Sequence, residues 1–232
     1  YTARILGVDL LVHYGHSCLI PVEQTSGIKV LYVFVDIQID PKHLIDTVIL
    51  NFAEKKPKIA LVSTIQFVNT LQFVSKALVT EDFEVTLPQV KPLSAGEILG
   101  CTAPVINCAD IIIYVGDGRF HLEAAMIANP KMRAFKYDPY TKKFTAETYD
   151  KQTMEQQRLK DIARAKEAKV FGLIMGTLGR QGSPKVVEYL RKRLEESGRE
   201  LVVILMSEIF PAKLDLFHNV DAFVQVACPR LS

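Results

Sequence analysis

The sequence predicts an α/β fold with mostly parallel sheets. Two observations support this: short apolar runs rich in β-branched residues recur along the 232 residues, and segments of helical periodicity separate them. Because the runs are almost continuously apolar, we expect them to be covered on both faces. The predicted strands are Val8–Tyr14, Val30–Val35, Ile59–Ser63, Ile111–Val115, Val170–Met175, Leu201–Met206 and Ala222–Ala227.

The clearest predicted helix covers Pro184–Ser197. Ser183 is a favourable N-cap residue, the proline suits the first helical position, and Gly198 suits the residue that follows the helix. A second, highly charged helix is predicted on the surface over residues 149–168. The apolar stripe of the first helix is formed by Val186, Val187, Leu190 and Leu194.

A weak internal repeat predicts three small related α/β units. Asp9, Asp110 and Asp221 each precede an apolar strand, and Lys58 and Lys169 each precede another. The first copy lacks its opening strand, so we expect a first domain that is truncated at its N-terminus. Chance similarity among buried strands is the alternative interpretation. The predicted domains are residues 1–57, 58–148 and 149–232, and the charged surface helix joins the last two.

The composition argues against several classes of protein. Apolar residues make up 49% of the chain and charged residues 23%, which is typical of a globular protein. The net charge of +2 gives no strong basic excess of the kind that nucleic-acid binding needs. No apolar run approaches the roughly 18 to 20 residues of a membrane helix, and the first residues do not resemble a signal peptide. We therefore predict a cytoplasmic protein with no nucleic-acid partner and no membrane partner.

Three of the four cysteines, Cys18, Cys101 and Cys228, stand where a predicted strand meets a turn. Their spacing is far wider than the roughly two to four residues between paired zinc-finger cysteines. Four cysteines are also too few for a disulfide scaffold in a chain of this length, so a reducing compartment and free thiolates are expected. If the fold brings the three segments together, three thiolates can bind a 4Fe–4S cluster and leave one iron open to a substrate.

Other metal-ligand candidates are weaker. Cys108 lies in a predicted helical stretch before a buried strand, where a cysteine is usually a small apolar side chain. His13, His16 and Cys18 suggest zinc, but alternation along a strand directs His13 to the face opposite the other two. A zinc site is therefore disfavoured. Two further histidines, His43 and His218, lie in predicted helical stretches and are expected to face solvent.

Four segments are expected beyond the carboxyl ends of parallel strands, where open α/β sheets bind ligands. The last of them is glycine-rich and leads into the helix at Ser183, so its free N–H groups suit a phosphate or a carboxylate. It is not a Walker A loop and lacks the dinucleotide spacing. Plain turns are the alternative, both here and for Gly116-Asp117-Gly118. The four segments are residues 13–18, 63–66, 116–121 and 176–183.

Longer motifs carry a more specific resemblance. They are His13–Pro21, Gly96–Thr102, Gly116–His121, Tyr137–Tyr140, Leu178–Gly182 and Val224–Ser232. Together they closely resemble the diphthamide biosynthesis 3-amino-3-carboxypropyltransferase family, with the nearest likeness to its eukaryotic subunit 1. The resemblance covers essentially the whole chain, and it is specific because the motifs occur in combination.

The resemblance implies three α/β domains around a central 4Fe–4S cluster, with one cysteine ligand from each domain. It implies a radical transferase that cleaves S-adenosylmethionine at this cluster. The 3-amino-3-carboxypropyl group then passes to one histidine of translation elongation factor 2, which is the first step of diphthamide synthesis. The implied partners are a second, related subunit in a heterodimer, the elongation factor as protein substrate, and a small metal-binding protein as electron donor.

Carried over by position, the resemblance assigns the three cluster ligands to Cys18, Cys101 and Cys228, whereas Cys108 has no counterpart in the motifs. In this reading S-adenosylmethionine is held by turn groups near the open iron. Backbone N–H groups at the start of the helix after Ser183 suit its carboxylate. The cofactor-binding candidates are Gln66, Gly116, Asp117, Gly118, His121, Gly179, Arg180, Gln181, Gly182 and Ser183.

Two other functions are weighed against this one. The first is a non-catalytic subunit of the same heterodimer, in which the cluster is structural or only relays electrons. The second is a nucleotide-binding α/β protein with a glycine-rich loop and incidental cysteines. The presence of all three cysteines disfavours the non-catalytic subunit. The nucleotide-binding alternative predicts a folded protein that contains no iron when it is purified without oxygen.

Overall fold

The computed structural model describes residues 2–14, 27–91, 93–100, 103–177 and 182–227. Its helices are α1 (Thr2–Ile5), α2 (Lys42–Phe52), α3 (Val68–Thr80), α4 (Phe120–Ala128), α5 (Lys151–Lys166), α6 (Pro184–Glu196) and α7 (Pro211–Leu214). Its strands are β1 (Leu10–Tyr14), β2 (Lys29–Val33), β3 (Ile59–Ser63), β4 (Val85–Thr86), β5 (Ile111–Val115), β6 (Arg133–Asp138), β7 (Lys143–Glu147), β8 (Val170–Gly176), β9 (Glu200–Met206) and β10 (Ala222–Val226). A 3-10 turn covers Ile65–Phe67. The α/β class predicted from the sequence is confirmed.

The described residues group into two compact units. One contains residues 2–11, 27–31 and 152–227, and the other contains 12–14 and 32–151. The strands form a two-stranded, a five-stranded and a three-stranded sheet, and each sheet lies within one of the three predicted domain ranges. The division into three domains stays a prediction.

The five-stranded sheet has the order β4-β3-β5-β6-β7. The pairs β4–β3, β3–β5 and β5–β6 are parallel, and only β7 runs antiparallel, against β6. Ser63 is in register with Val115, and Val115 with Tyr137, so the central strands end at the same level. Their carboxyl ends therefore lie along a single edge of the sheet.

Helices cover both faces of this sheet, which is why every residue of β3 and β5 is buried. On one face, apolar side chains of α2 and α3 pack on alternate residues of the central strands. On the other face, α4 and the segment around Ile98 and Ile106 pack on the intervening residues. The first core includes Leu44, Val48, Leu61, Leu71, Ile113 and Phe135, and the second includes Val62, Ile98, Ile112, Tyr114, Leu122 and Ala125.

The three-stranded sheet is parallel throughout, in the order β10-β8-β9. Helix α6 begins where the sequence predicts, since the Ser183 hydroxyl accepts a hydrogen bond from the Val186 N–H. The central strand β8 is mostly buried, whereas most of β9 is exposed or half-buried. Strands β1 and β2 are likewise partly exposed. The sequence predicts strands that are covered on both faces. This is confirmed for β3, β5 and most of β8, and it is wrong for β1, β2 and β9.

The repeat predicted from Asp110 and Asp221 has a structural counterpart. An Asp110 carboxylate oxygen accepts a hydrogen bond from the Lys58 N–H at 2.9 Å, across 52 residues. An Asp221 carboxylate oxygen accepts one from the Lys169 N–H, also at 2.9 Å and across 52 residues. In the five-stranded sheet the aspartate before β5 thus binds the residue before β3. In the three-stranded sheet the aspartate before β10 binds the residue before β8 in the same way.

Helix α5 lies on the surface, and none of its residues is buried. This confirms the charged surface helix predicted over residues 149–168. In the described parts of the chain, no helix combines the length and the apolar character needed to cross a membrane.

Candidate functional site at the carboxyl edge of the five-stranded sheet

The carboxyl ends of β3, β5 and β6 bring polar residues to one edge of the five-stranded sheet. Ser63 and Thr64 end β3, Gly116 and Asp117 follow β5, and Asp138 ends β6. In open parallel sheets this edge is where ligands bind, because helix starts and turn N–H groups collect there. Two of the four segments predicted from the sequence, 63–66 and 116–121, therefore lie at a common edge.

Thr64 and Tyr114 place two buried hydroxyls at this edge. Thr64 is 2% exposed, Tyr114 is fully buried, and both side chains lie on the face covered by α4. Burial raises the pKa of Tyr114, the Asp117 carboxylate raises it further, and the neighbouring Thr64 hydroxyl lowers it slightly. The two hydroxyls are therefore close, but among the described residues the Thr64 oxygen has no hydrogen-bond partner of normal geometry. The Tyr114 phenol stays protonated at neutral pH and can donate.

The turn Gly116-Asp117-Gly118 wraps around the Tyr114 ring. The Tyr114 O–H donates to the Asp117 carbonyl oxygen over a long 3.4 Å. A Cβ on Gly116 would lie 2.5 Å from the Tyr114 phenol oxygen, so only glycine allows this approach. Gly118 has a positive φ of 64°, a backbone conformation that glycine adopts readily. The predicted cofactor-binding turn is thus a close-fitting cap on a buried phenol.

Arg119 fixes the end of this turn to the edge strand β7. Its guanidinium forms ion pairs with Glu123 at 3.4 Å and Glu147 at 3.3 Å, and donates to the Thr148 carbonyl oxygen at 2.8 Å. His121, in the first turn of α4, lies parallel to the Tyr114 ring with centroids 6.4 Å apart. The loop, the phenol and His121 therefore form one connected group.

The segment that leads to Cys101 runs beside the end of β3. The Ser63 N–H donates to the Gly96 carbonyl oxygen at 2.8 Å, and the Ile98 N–H donates to the Ser63 carbonyl oxygen at 2.9 Å. Gly100, the last described residue before Cys101, packs against the Phe120 ring so closely that a Cβ would clash. Gly100 therefore lies at the same sheet edge.

Gln66 lies in the 3-10 turn after β3 and is half-buried. Its backbone carbonyl accepts from the Ile37 N–H at 2.8 Å, which fixes the turn. Ser63 is also buried without a hydrogen-bond partner in the described residues. Side-chain alternation places Ser63 on the opposite face of the sheet from Thr64.

In the other unit, the described end of the glycine-rich loop is consistent with a helix N-terminal site. Gly182 packs against the Gly176 carbonyl so closely that a Cβ would clash, and Ser183 caps α6. The backbone N–H groups of the first turn of α6 then lie just beyond the end of β8. Gly182 and Ser183 are the cofactor-binding candidates in this unit that the structure describes.

Six predicted site residues lie outside the described ranges, so their assignment stays a prediction. They are the three cluster candidates Cys18, Cys101 and Cys228, and the loop residues Gly179, Arg180 and Gln181. Within the described ranges, no group of three or more His, Cys, Asp or Glu side chains could hold a metal.

Two predictions about single residues are wrong. Cys108 is exposed and not helical, because it lies in an irregular segment before β5, where its thiol is 3.9 Å from the Thr86 hydroxyl. His43 is half-buried, and its Nδ1 lies 3.0 Å from the Tyr137 phenol oxygen. It packs there because α2 covers the sheet, a tertiary contact that helical periodicity does not show. His218 is exposed, as predicted.

A family model described as "Putative diphthamide synthesis protein" matches residues 1–232, the whole chain. The chain belongs to the diphthamide synthesis protein family. Its curated relatives include 2-(3-amino-3-carboxypropyl)histidine synthase subunit 1 from Nematostella vectensis, 57% identical over 232 residues. The same-named protein from Homo sapiens is 56% identical over 234 residues.

These relatives are longer than the chain. All of the chain is covered in both alignments, but only 50% of the Nematostella protein and 53% of the human protein. The chain thus spans about half the length of the diphthamide synthesis relatives that it matches. The activity, the substrates and the partners of the whole protein are therefore proposed below.

Two solved structures share the fold of this diphthamide synthesis family member. Dph2 from Pyrococcus horikoshii matches with a TM-score of 0.75 and 29% identity, covering 99% of this chain and 66% of the Dph2 chain. The same protein solved with a 4Fe–4S cluster also gives a TM-score of 0.75, with 28% identity and 67% of its chain covered. The mixed α/β architecture described above is therefore that of a known iron–sulfur protein.

Sequence reasoning placed Thr64 in the candidate segment 63–66 without singling it out, and it missed Tyr114 as a functional candidate. The available signal was the pair Ser63-Thr64, two polar residues that directly follow four buried apolar ones in β3. A phenol at the fourth position of the buried strand β5 was a second signal. Neither signal shows that the hydroxyls come together, since that depends on the β3–β5 register.

Proposed function

We propose that the full-length protein is a subunit of the enzyme that performs the first step of diphthamide synthesis. In this proposal it transfers the 3-amino-3-carboxypropyl group from S-adenosylmethionine to a histidine of translation elongation factor 2. The observation that carries the proposal is the full-length family match, together with the fold shared with a protein solved with a 4Fe–4S cluster. The proposed setting is the cytoplasm, in a heterodimer with a related subunit and with a small metal-binding electron donor.

The proposed cluster ligands are Cys18, Cys101 and Cys228. Three thiols suit a 4Fe–4S cluster because thiolates are the ligands such clusters use, and three of them leave one iron open. Two of these cysteines follow described residues at a strand end: Gly100, before Cys101, ends a segment beside β3, and Ala227, before Cys228, directly follows β10. When bound, the cluster would supply the electron that breaks the bond between sulfur and the transferred carbon.

The residues at the sheet edge would bind and orient S-adenosylmethionine. Asp117 offers a carboxylate for the α-ammonium group, and the turn around it offers backbone N–H groups. His121 and Gln66 supply further polar side chains at this edge.

The cluster assignment can be tested by replacing each cysteine singly with serine in the full-length subunit, co-expressed with its partner under anaerobic conditions. We expect Cys18→Ser, Cys101→Ser and Cys228→Ser each to lose most of the iron, the acid-labile sulfide and the visible absorbance of this subunit's cluster. In all samples the cluster-binding cysteines of the partner subunit should be replaced as well, so that the measured iron comes from one cluster only.

Cys108→Ser is the matched control, because Cys108 is an exposed cysteine with no assigned role. It should keep the iron, the absorbance and the cleavage of S-adenosylmethionine at the wild-type level. Full iron content in any of the three other variants would remove that cysteine from the ligand set. A cluster present without any cleavage of S-adenosylmethionine would instead favour the electron-relay subunit.

A further inference from the structure

The Thr64 hydroxyl is a buried polar group that the proposed site does not yet use. The side chain is 2% exposed, and in the described chain its oxygen has no hydrogen-bond partner. Buried polar groups in folded proteins nearly always have partners, so an exception calls for an explanation such as an ordered water or a missing ligand. Valine has nearly the same shape and would fill this position without the unpaired oxygen.

The surroundings of Thr64 indicate the chemistry of that ligand. The Tyr114 phenol next to it makes only a long 3.4 Å hydrogen bond to the Asp117 carbonyl oxygen, so a better acceptor could replace it. The Thr64 hydroxyl is near enough to the phenol to affect the pKa of Tyr114, so two O–H donors lie near each other at the end of β3 and β5. The Asp117 carboxylate is close enough to the phenol to raise its pKa. Donors for a carboxylate and an acceptor for an ammonium group together suit the zwitterionic end of an α-amino acid.

The position of these groups in the fold agrees with this ligand. Both hydroxyls lie on the α4 face of the sheet, at the edge reached by the segment that ends at Gly100. Gly116 has no side chain, and a Cβ there would lie 2.5 Å from the phenol oxygen. Its backbone therefore packs directly against the Tyr114 ring and fixes the position of the phenol.

We propose that the Thr64 hydroxyl and the Tyr114 phenol together bind the carboxylate of the amino-acid part of S-adenosylmethionine, with Asp117 beside them for its ammonium group. This inference rests on the proposed function, and it adds Thr64 and Tyr114 to the binding residues. It assigns them to the part of the cofactor that is transferred. Discrimination between the cofactor and thioethers that lack the amino-acid part would then depend on Thr64.

The test uses the full-length heterodimer with its clusters reconstituted, and two probes measured by calorimetry. The first probe is S-adenosylmethionine, and the second is 5′-methylthioadenosine, which lacks the amino-acid part. Thr64→Val should weaken binding of the first probe by about 10-fold or more, because a hydrogen bond to a charged group is lost, and leave the second unchanged. Thr64→Ser keeps the hydroxyl and should bind both probes as the wild type does.

Ser63→Ala is the matched control, because Ser63 is a buried hydroxyl on the opposite face of the sheet and likewise lacks a hydrogen-bond partner among the described residues. It should leave the affinities of both probes unchanged. Thermal midpoints and iron content should match the wild type in every variant. If Thr64→Val does not fold, Tyr114→Phe tests the same pair and should show the same selective loss.

Three results decide the inference. The inference is supported if Thr64→Val loses affinity for S-adenosylmethionine only and Thr64→Ser has the wild-type affinity. Wild-type affinity for both probes, or an equal loss of both, overturns it while leaving the proposed function intact. A wild-type heterodimer with full clusters that binds no S-adenosylmethionine overturns the proposed function as well.

Discussion

Tyr114 and Gly116 fix each other's position at the end of β5. The phenol is buried among α4 side chains, and the chain turns back over it so tightly that no side chain fits at residue 116. A side chain at residue 116 would therefore disturb the packing of the Tyr114 ring as well as the backbone. A double-mutant cycle can test this contact between residues 116 and 114.

Gly116→Ala should destabilise the protein by about 1–3 kcal/mol, because the new methyl group must displace the Tyr114 ring. Denaturant unfolding measures this free energy. In a Tyr114→Phe background the cost should be smaller, because the phenol oxygen that lies nearest to the new methyl group is gone. Gly118→Ala, with open space around it, should cost about 1 kcal/mol in either background, from its positive φ. Equal costs of Gly116→Ala in both backgrounds would contradict the contact.

Tyr114 should also give the protein a specific response to alkaline pH. Its pKa is raised by burial and by Asp117, so the folded state keeps a proton that the unfolded state releases above pH of about 10. The free energy of unfolding should therefore fall as pH rises beyond this value. At lower pH the phenol is protonated in both states, so Tyr114 adds nothing to the pH dependence of stability. Tyr114→Phe should show a shallower fall in unfolding experiments from pH 8 to 11, and an unchanged slope would argue against a buried phenol.

The sequence predicted residue environments only where local pattern decides them. Ser183 was predictable as an N-cap because capping depends on neighbours within one turn. The environments of His43 and Cys108 were not, since one depends on α2 packing against β6 and the other on an irregular segment before β5. The pairing of Thr64 with Tyr114 likewise required the register of β3 on β5.

At the scale of elements, two aspartates hold neighbouring strands together in the two larger sheets. Asp110 accepts one hydrogen bond, from the N–H of Lys58, before β3. Asp221 accepts two, from the N–H groups of Lys169 and Val170, at the start of β8. These hydrogen bonds lower the pKa of Asp221. Each aspartate therefore satisfies N–H groups at the amino end of a parallel strand, where the ladder leaves them unpaired.

Asp221→Ala should lower the denaturant midpoint of the protein more than Asp110→Ala, because it leaves two N–H groups without an acceptor rather than one. Asp221→Asn retains one acceptor oxygen and should fall between Asp221→Ala and the wild type. Since the pKa of Asp221 is lowered on folding, its contribution is present above about pH 4 and is lost as pH falls below it. Equal midpoints for Asp221→Ala and Asp110→Ala would contradict this account.

The elements that the sequence predicted are those with continuous apolar runs. Strands β3 and β5 have the predicted bounds because both of their faces are covered by helices. Strands β6 and β7 were not predicted, since polar residues interrupt their apolar residues, as in Arg133–Asp138. Strand β7 is the antiparallel edge strand, and a strand that faces solvent on one side gives a weaker signal than a buried one.

At the scale of the whole molecule, the five-stranded sheet and its three covering helices form a self-contained core. Both large apolar clusters lie entirely within residues 32–151. We expect a fragment of residues 32–151 to fold on its own and to unfold cooperatively in denaturant, followed by circular dichroism. Leu71→Ala, which removes a fully buried side chain from α3, should lower its stability by about 2–5 kcal/mol. A broad, non-cooperative transition in the unmodified fragment would show that the core needs the other unit.

The repeat has a consequence for how one strand pattern can serve two kinds of chemistry. An anchoring aspartate precedes a five-residue strand in each of the two larger sheets, and the second residue after the strand is Asp117 in one copy and Cys228 in the other. The repeated sequence pattern thus carries a hard carboxylate at this point in one copy and a soft thiol in the other. Under the proposed function, a substitution at a single position of a repeated pattern is enough to separate a residue that attracts a cation from one that binds iron.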